Sequence, residues 1–308
     1  MSYCDERPPP ADPVSPELKR PRDDELDLFG LTHQGKVRGE NQDHFLVCTV
    51  HPQVVVHETS LPNVEDLPLR GSRLATIMVV ADGVGGGDFG SAAAQLATEM
   101  ITRYVSSTLR SYHAAGKSSD KELLDSLRSA ICEAHNAVLA DAAGRDPPSR
   151  MASTLTVGIA IWPWCYVVQV GDSRGYHWDG KLLTQLTRDQ TIGQDLVDKG
   201  VLPPERLNVS PYRNVLASAI GGGEATPEVT RVEMNRSSTL LFCTDGLTKH
   251  VTDDEIASYV REMTGSEQLC RALLDLALER GGSDNITIVV GRAPSGTTPP
   301  GSLPAFPA

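Results

Sequence analysis

The chain has 308 residues, 40% of them hydrophobic, and a formal net charge of −12 at pH 7, which is enough apolar content for one substantial core but leaves no room for a second large domain. The acidic balance argues against nucleic-acid binding, which needs a basic face. No stretch approaches the roughly 18 apolar residues of a membrane span, and the N-terminus lacks the apolar core of a secretory signal, so a cytoplasmic protein without membrane association is expected.

In chain order, residues 1–24 form a proline-rich, charged segment expected to be disordered. Asp43 precedes the apolar run Phe45-Leu46-Val47-Cys48, which reads as a strand. Residues 51–73 are polar and proline-punctuated, an insertion expected to be a solvated loop. Residues 74–81 read as a buried strand that delivers Asp82 into the glycine-rich bend running from Gly83 to Gly90, and residues 91–109 read as a helix. Ser119-Asp120-Lys121-Glu122 spells a capping box that opens a second helix, to residue 142, with Leu123, Leu127, Ile131, Ala134 and Val138 on one face.

Farther on, Asp172 follows the run 165–171 and Asp245 follows the run 239–244, while Asp284 stands just before Ile286-Thr287-Ile288-Val289-Val290. Residues 189–223 form a polar connection, weakly anchored by its composition. Helices are signalled at Thr252-Asp253-Asp254-Glu255 and over 267–280, the latter stopped by Gly281-Gly282. Residues 293–308, rich in Pro, Gly, Ser and Thr, form a tail expected to be disordered.

One device recurs: a single Asp at the end of an apolar run, at five places far apart in sequence. Any one of these is readable as an ordinary turn residue. In a sheet, however, strand ends collect on one edge, so the five carboxylates are able to converge, and converged carboxylates repel unless a cation neutralises them. An oxygen-only donor set suits a hard ion such as magnesium, manganese or calcium better than zinc, and no Asp turn carries a metal-spaced His or Cys pair. His44 and His250 read as isolated, hydrogen-bonded or surface histidines. Gly85 to Gly90 also satisfies the G-x-G-x-x-G pattern of dinucleotide-binding turns, a weak match, because the second strand that reading requires is replaced by the helix at 120–142.

The motifs resemble those of the metal-dependent serine/threonine protein phosphatases of type 2C, in their bacterial style. The resemblance spans residues 29–291 and rests on Arg38-Gly39-Glu40-Asn41-Gln42-Asp43, Val80-Ala81-Asp82-Gly83-Val84-Gly85-Gly86, Met151-Ala152-Ser153-Thr154-Leu155 and Val170-Gly171-Asp172-Ser173-Arg174-Gly175. It continues through Leu186-Thr187-Arg188-Asp189-Gln190, Ala217-Ser218-Ala219-Ile220-Gly221, Thr244-Asp245-Gly246-Leu247 and Gly282-Ser283-Asp284-Asn285-Ile286-Thr287.

The resemblance implies an α/β fold, a four-layer α-β-β-α sandwich of two antiparallel sheets flanked by helices, over residues 25–292. It implies two Mn2+ or Mg2+ ions bridged by Asp82, with the Gly83 carbonyl on one ion and Asp245 and Asp284 on the other. Asp43 is implied to sit close by, Asp172 to serve a weaker third ion with Asp245, and Arg38 to bind phosphate through its fork of donors. The implied reaction is in-line attack on phosphorus by a metal-activated water, without a phosphoenzyme. No segment resembles the Cys-x5-Arg loop of cysteine phosphatases, and the six cysteines read as reduced thiols. Substrates are implied to be phosphoproteins, with serine/threonine kinases and their targets as partners, and a monomer is expected. A catalytically silent phosphoprotein-binding relative is the alternative, disfavoured because every acidic metal position is present.

The chain departs from the family pattern at three places. Val84 stands where animal members often carry His, a proposed general acid, and where bacterial members usually have Met; Gln190 stands where His is common, and Ala152 where Gly is common. Residues 189–223 correspond to the flap beside the family's active site.

Overall fold

The computed structural model describes residues 19–53, 56, 70–85, 88–114, 120–145 and 150–294. Most of the segments expected to be disordered, the Ser119 cap, Gly86-Gly87 and most of the 51–73 insertion lie outside the described residues. The strands are β1 (Asp27–His33), β2 (His44–Val50), β3 (Ala75–Ala81), β4 (Gly83–Val84), β5 (Ala152–Ser153), β6 (Leu155–Ile161), β7 (Trp164–Val170), β8 (Arg174–Trp178), β9 (Leu183–Gln185), β10 (Glu228–Glu233), β11 (Thr239–Cys243) and β12 (Ile286–Arg292). The helices are α1 (Phe89–Ala114), α2 (Asp120–Gly144), α3 (Ile192–Asp198), α4 (Asp245–Thr248), α5 (Asp253–Glu262) and α6 (Ser266–Glu279).

Two five-stranded sheets have the orders β1-β12-β11-β8-β9 and β10-β7-β6-β3-β2, with every pairing antiparallel. The apolar runs are unbroken because both faces of each central strand are covered. In β3, Ala75, Ile77, Val79 and Ala81 pack with α1 and α2 residues such as Ala97, Ile101, Leu127 and Ile131. The alternate residues Met78 and Val80 meet Leu240, Phe242 and Val289 of the other sheet. On the far side Leu241, Cys243, Ile286, Ile288 and Val290 pack with Ile256, Val260, Leu269 and Leu273 of α5 and α6. Three apolar cores between four layers are the expected α-β-β-α sandwich.

The anticipated helices form with small shifts at their ends. At Thr252 the capping box is made in full, its side chain accepting from the Glu255 amide while the Glu255 carboxylate accepts from the Thr252 amide. The expected start of the folded body at residue 25 moves toward the N-terminus. Pro21 is buried, and Arg73, itself buried, donates to the Pro21 carbonyl at 2.8 Å and pairs with Asp23 at 2.5 Å. A buried guanidinium needs such partners, so Pro21 and Asp23 anchor the chain ahead of β1 to Arg73 at the end of the 51–73 insertion, although Arg22, Asp23 and Asp24 face solvent.

The expectation of weak anchoring for residues 189–223 is also corrected. Arg174 clamps Asp189 with two donors, at 2.8 and 2.6 Å, and Arg188 reaches Asp195 at 2.7 Å and Asp198 at 2.5 Å. The amides of Ile192 and Gly193 donate to the carbonyls of Val215 and Tyr212. Beside exposed polar residues such as Lys199, Glu205 and Arg206, the segment presents the apolar Ile192, Val201, Val209, Tyr212 and Val215 to solvent.

Candidate active site

β2 and β12 begin, and β3, β7 and β11 end, at one rim of the sandwich, where Asp43, Asp82, Asp172, Asp245 and Asp284 meet across the two sheets. Asp82, Asp172, Asp245 and Asp284 line a cleft of about 970 Å3, together with Arg38, Gly83, Val84, Asn214 and Lys249. Asp43 lies beneath it, 4% exposed.

Each carboxyl is placed by backbone features of its own strand end. The Asp82 amide donates to Thr154 Oγ1 at 3.0 Å, and the Asp82 carbonyl accepts from the Thr154 amide and the Ser153 hydroxyl. Gly83 is required by close approach, since a Cβ there would stand 2.3 Å from the Gly90 carbonyl oxygen in the first turn of α1. Gly171, before Asp172, has φ +103°, the region that favours glycine. Its amide and carbonyl are both held by Gln190, through the side-chain oxygen at 2.9 Å and the backbone amide at 3.0 Å. Gln190 also donates to the Thr226 carbonyl at 2.9 Å. The departure at Gln190 therefore has a structural role, bracing the turn that carries Asp172.

Asp43 Oδ2 accepts from Thr244 Oγ1 at 2.8 Å and Thr287 Oγ1 at 2.7 Å. Asp284 is clamped by Arg38, Nε to Oδ1 at 2.7 Å and Nη2 to Oδ2 at 2.8 Å. Lys249 Nζ lies 2.6 Å from Asp245 Oδ2 and 2.6 Å from Asp284 Oδ2. Asn285 fastens the loop bearing Arg38 to this rim, accepting from the Gln42 amide at 2.9 Å and donating to the carbonyls of Gln34 and Glu40 at 2.8 Å.

The electrostatics are those of a site short of positive charge. Burial pushes the Asp43 carboxyl up to about 7, opposed by Thr287 and Thr244 and reinforced by Asp245 and Asp284. Burial pushes Asp172 up to about 8, with Asp245 and Asp189 adding to it. Asp82 is raised by burial and then by Asp43, Asp245, Asp172 and Asp284. Burial raises Asp245 too, against the pull of Lys249. Only Asp284 is held below the usual carboxylate range, because Arg38 and Lys249 together outweigh its burial.

Among the described residues no three acidic, His or Cys side chains close around a single point; Lys249 fills the gap between Asp245 and Asp284. The donor set nonetheless fits a hard divalent cation. It is all oxygen, and Asp43 Oδ1 and Asp245 Oδ1 are buried with no hydrogen-bond partner, which is costly unless a cation takes them up.

The structure thus brings together at one rim all the residues singled out from sequence: Arg38, Asp43, Asp82, Gly83, Asp172, Asp245 and Asp284. Sequence reasoning missed Lys249, Thr244, Thr287 and Asn285. The threonines carried a faint signal, as polar residues at the ends of otherwise apolar runs, and Asn285 sat inside a quoted motif. Lys249 carried no signal beyond its i+4 spacing from Asp245. His44 and His250 are hydrogen-bonded to Ser91 and Ser283.

A model of the family described as protein phosphatase 2C matches residues 69–278. The serine/threonine protein phosphatase PstP of Mycobacterium tuberculosis is 33% identical over 228 residues, which cover 74% of this chain and 42% of PstP. The chain therefore spans less than half the length of that relative. The serine/threonine phosphatase Stp of Listeria monocytogenes is 29% identical over 215 residues, covering 70% of this chain and 83% of Stp. The crystal structure of the PstP catalytic domain in complex with 2 manganese ions matches with a TM-score of 0.66 at 27% identity, covering 88% of this chain and 99% of that one.

Proposed function

The chain belongs to the protein phosphatase 2C family, and from that membership we propose that it is a metal-dependent protein-serine/threonine phosphatase, which hydrolyses phosphoserine and phosphothreonine in proteins and so opposes serine/threonine kinases. The observation that carries the reading is the convergence of five strand-end carboxyls at one rim, four lining the cleft and Asp43 beneath it, two of them with buried oxygens that have no partner among the described residues.

In this reading Asp82 and the Gly83 carbonyl would hold one Mn2+ or Mg2+ ion, Asp82, Asp245 and Asp284 would hold a second, and Asp172 with Asp245 would serve a weaker third. The ions supply the Lewis acidity that activates water for in-line attack on phosphorus. The chain's own groups do the rest. Thr244 and Thr287 hold the Asp43 carboxylate ionised and fixed beneath the site. Arg38, more than half exposed at the rim, turns its donor fork from Asp284 to two oxygens of the phosphate. Val84 has no proton to give, so protonation of the leaving alkoxide falls to another group.

The test is turnover of p-nitrophenyl phosphate and a phosphothreonine peptide with and without Mn2+, in the wild type and in Asp82→Asn. The expected result is activity that a chelator abolishes, and an Asp82→Asn protein that folds but is inert. Chelator-resistant turnover, or an Asp82→Asn rate within a few-fold of wild type, overturns the reading. A folded wild type that binds the phosphopeptide without hydrolysing it would mark the silent relative instead.

A further inference from the structure

Lys249 is the cation nearest the centre of the acidic cleft, and its position conflicts with that of an ion. It follows the single turn of α4, its amide donating to the Asp245 carbonyl at 2.8 Å, and its side chain folds back over that turn. Nζ comes to rest 2.6 Å from Asp245 Oδ2 and 2.6 Å from Asp284 Oδ2, with the side chain 18% exposed. Burial disfavours its charge, but Asp245 and Asp284 outweigh that and keep the ammonium firmly protonated.

Arg38 reaches both oxygens of Asp284 from the other side. Both oxygens of Asp284 and one of Asp245 are thus engaged by protein cations, while Asp245 Oδ1 is buried and unpartnered. An ion ligated jointly by Asp245 and Asp284 has Asp245 Oδ1 available to it, but on Asp284 it finds both oxygens taken, Oδ2 by Lys249 as well as Arg38.

We infer that Lys249 is a resident counter-ion, which holds Asp245 and Asp284 together in the metal-free cleft and must be displaced from Asp284 when a divalent ion binds both. This rests on the proposed roles of Asp245 and Asp284 as metal ligands. Two effects act in the same direction. The ion has to break the Lys249–Asp284 contact, and the displaced ammonium stays close, because its chain is anchored four residues from Asp245 and shares a second, smaller recess with Asp172. A positive charge retained at that distance weakens binding of a cation in a partly buried site. Metal affinity in this chain is accordingly set by exchange of one cation for another, and Lys249 lowers it.

The test is titration of the metal-free full chain with Mn2+ by calorimetry, with thermal melting of each protein with and without the metal. Lys249→Met is expected to bind Mn2+ about tenfold more tightly than wild type and to melt at a lower temperature without metal, a difference that narrows at saturating Mn2+. Lys249→Arg, which keeps the charge, is expected to stay within about threefold of wild-type affinity. Lys249→Gln gives the same tightening should the apolar variant not fold. Wild-type or weaker affinity in the neutral variants overturns the inference. Asp82→Asn separates the two levels. If it loses Mn2+ while Lys249→Met gains nothing, the lysine role alone fails; if it binds Mn2+ as wild type does, the acidic-cleft reading fails and the lysine role with it.

Discussion

Replacing Thr287 by Val removes one hydroxyl from beneath the carboxyl cluster and almost nothing else, since the two side chains have the same shape. Thr287 is fully buried; its Oγ1 lies 2.7 Å from Asp43 Oδ2 and 2.8 Å from Thr32 Oγ1. Loss of a hydrogen bond to a charged group costs about 1.5–3 kcal/mol. The Thr32 contact adds little, because Thr32 is exposed and keeps the bond from Asn41 Nδ2 at 2.9 Å. Asp43 keeps its bond from Thr244. The net loss is therefore about 2 kcal/mol out of a typical 5–15 kcal/mol, so the protein stays folded. Thr287 is also one of the two donors that oppose the rise of the Asp43 carboxyl to about 7. Without it the carboxyl climbs further and is more often neutral at pH 7, and a neutral carboxyl supports a cation poorly. Urea unfolding of the metal-free protein should show the stability loss. Titration of p-nitrophenyl phosphate turnover with Mn2+ should show a higher metal requirement and about tenfold lower kcat/KM at limiting Mn2+. Thr287→Ser should restore both. If Thr287→Val matches wild type in unfolding midpoint and in metal requirement, Asp43 does not act through its hydroxyl partners.

Arg38→Ala should raise the KM for p-nitrophenyl phosphate by about tenfold at saturating Mn2+, and unchanged steady-state kinetics would make the Asp284 clamp purely structural. Shortening residues 203–211 should slow hydrolysis of phosphothreonine peptides far more than that of p-nitrophenyl phosphate, because it removes the exposed Val209, a surface a polypeptide is large enough to use; equal loss on both substrates would assign the segment to support of the Asp172 turn. Glu25, hydrogen-bonded by Arg236 and by the Arg22 amide, is held down to about 2. Its depressed value means that its contribution is complete above the ordinary pKa near 4.5 and is lost as pH falls from there to about 2. The pair is half-buried, with Arg236 14% and Glu25 28% exposed, so urea unfolding should show wild type more stable than Glu25→Gln at pH 7, with the difference vanishing near pH 2. A difference that persists at pH 2 would show that the contact is not electrostatic.

The strands that matter, and the Asp at the end of each, were legible because both signals are local. A run of apolar residues covered on two faces has to be continuous, and a carboxylate cannot continue it, so the run and its terminating Asp announce each other within a few residues. The same locality made the capped helix at Thr252 legible. The four-layer arrangement was not available from pattern alone and came with the family resemblance. It becomes physical in β3, where alternate residues serve two different cores.

Anchoring of the flap was misjudged because a polar segment looks loose in sequence, whereas here its carboxylates pair with Arg188, just before it, and with Arg174 on β8. The roles of Lys249, Thr244 and Thr287 were not legible for a related reason, although both threonines stand within the quoted motifs. What gives each its role is a contact with a residue remote in the chain, as between Thr287 and Asp43, separated by 244 positions. Lysine and threonine are common surface and strand residues whose type alone specifies no partner. The carboxylates carried their meaning in their own neighbourhoods, but the groups that neutralise and orient them acquired theirs only when packing two antiparallel sheets brought strand ends from across the whole chain to a single rim.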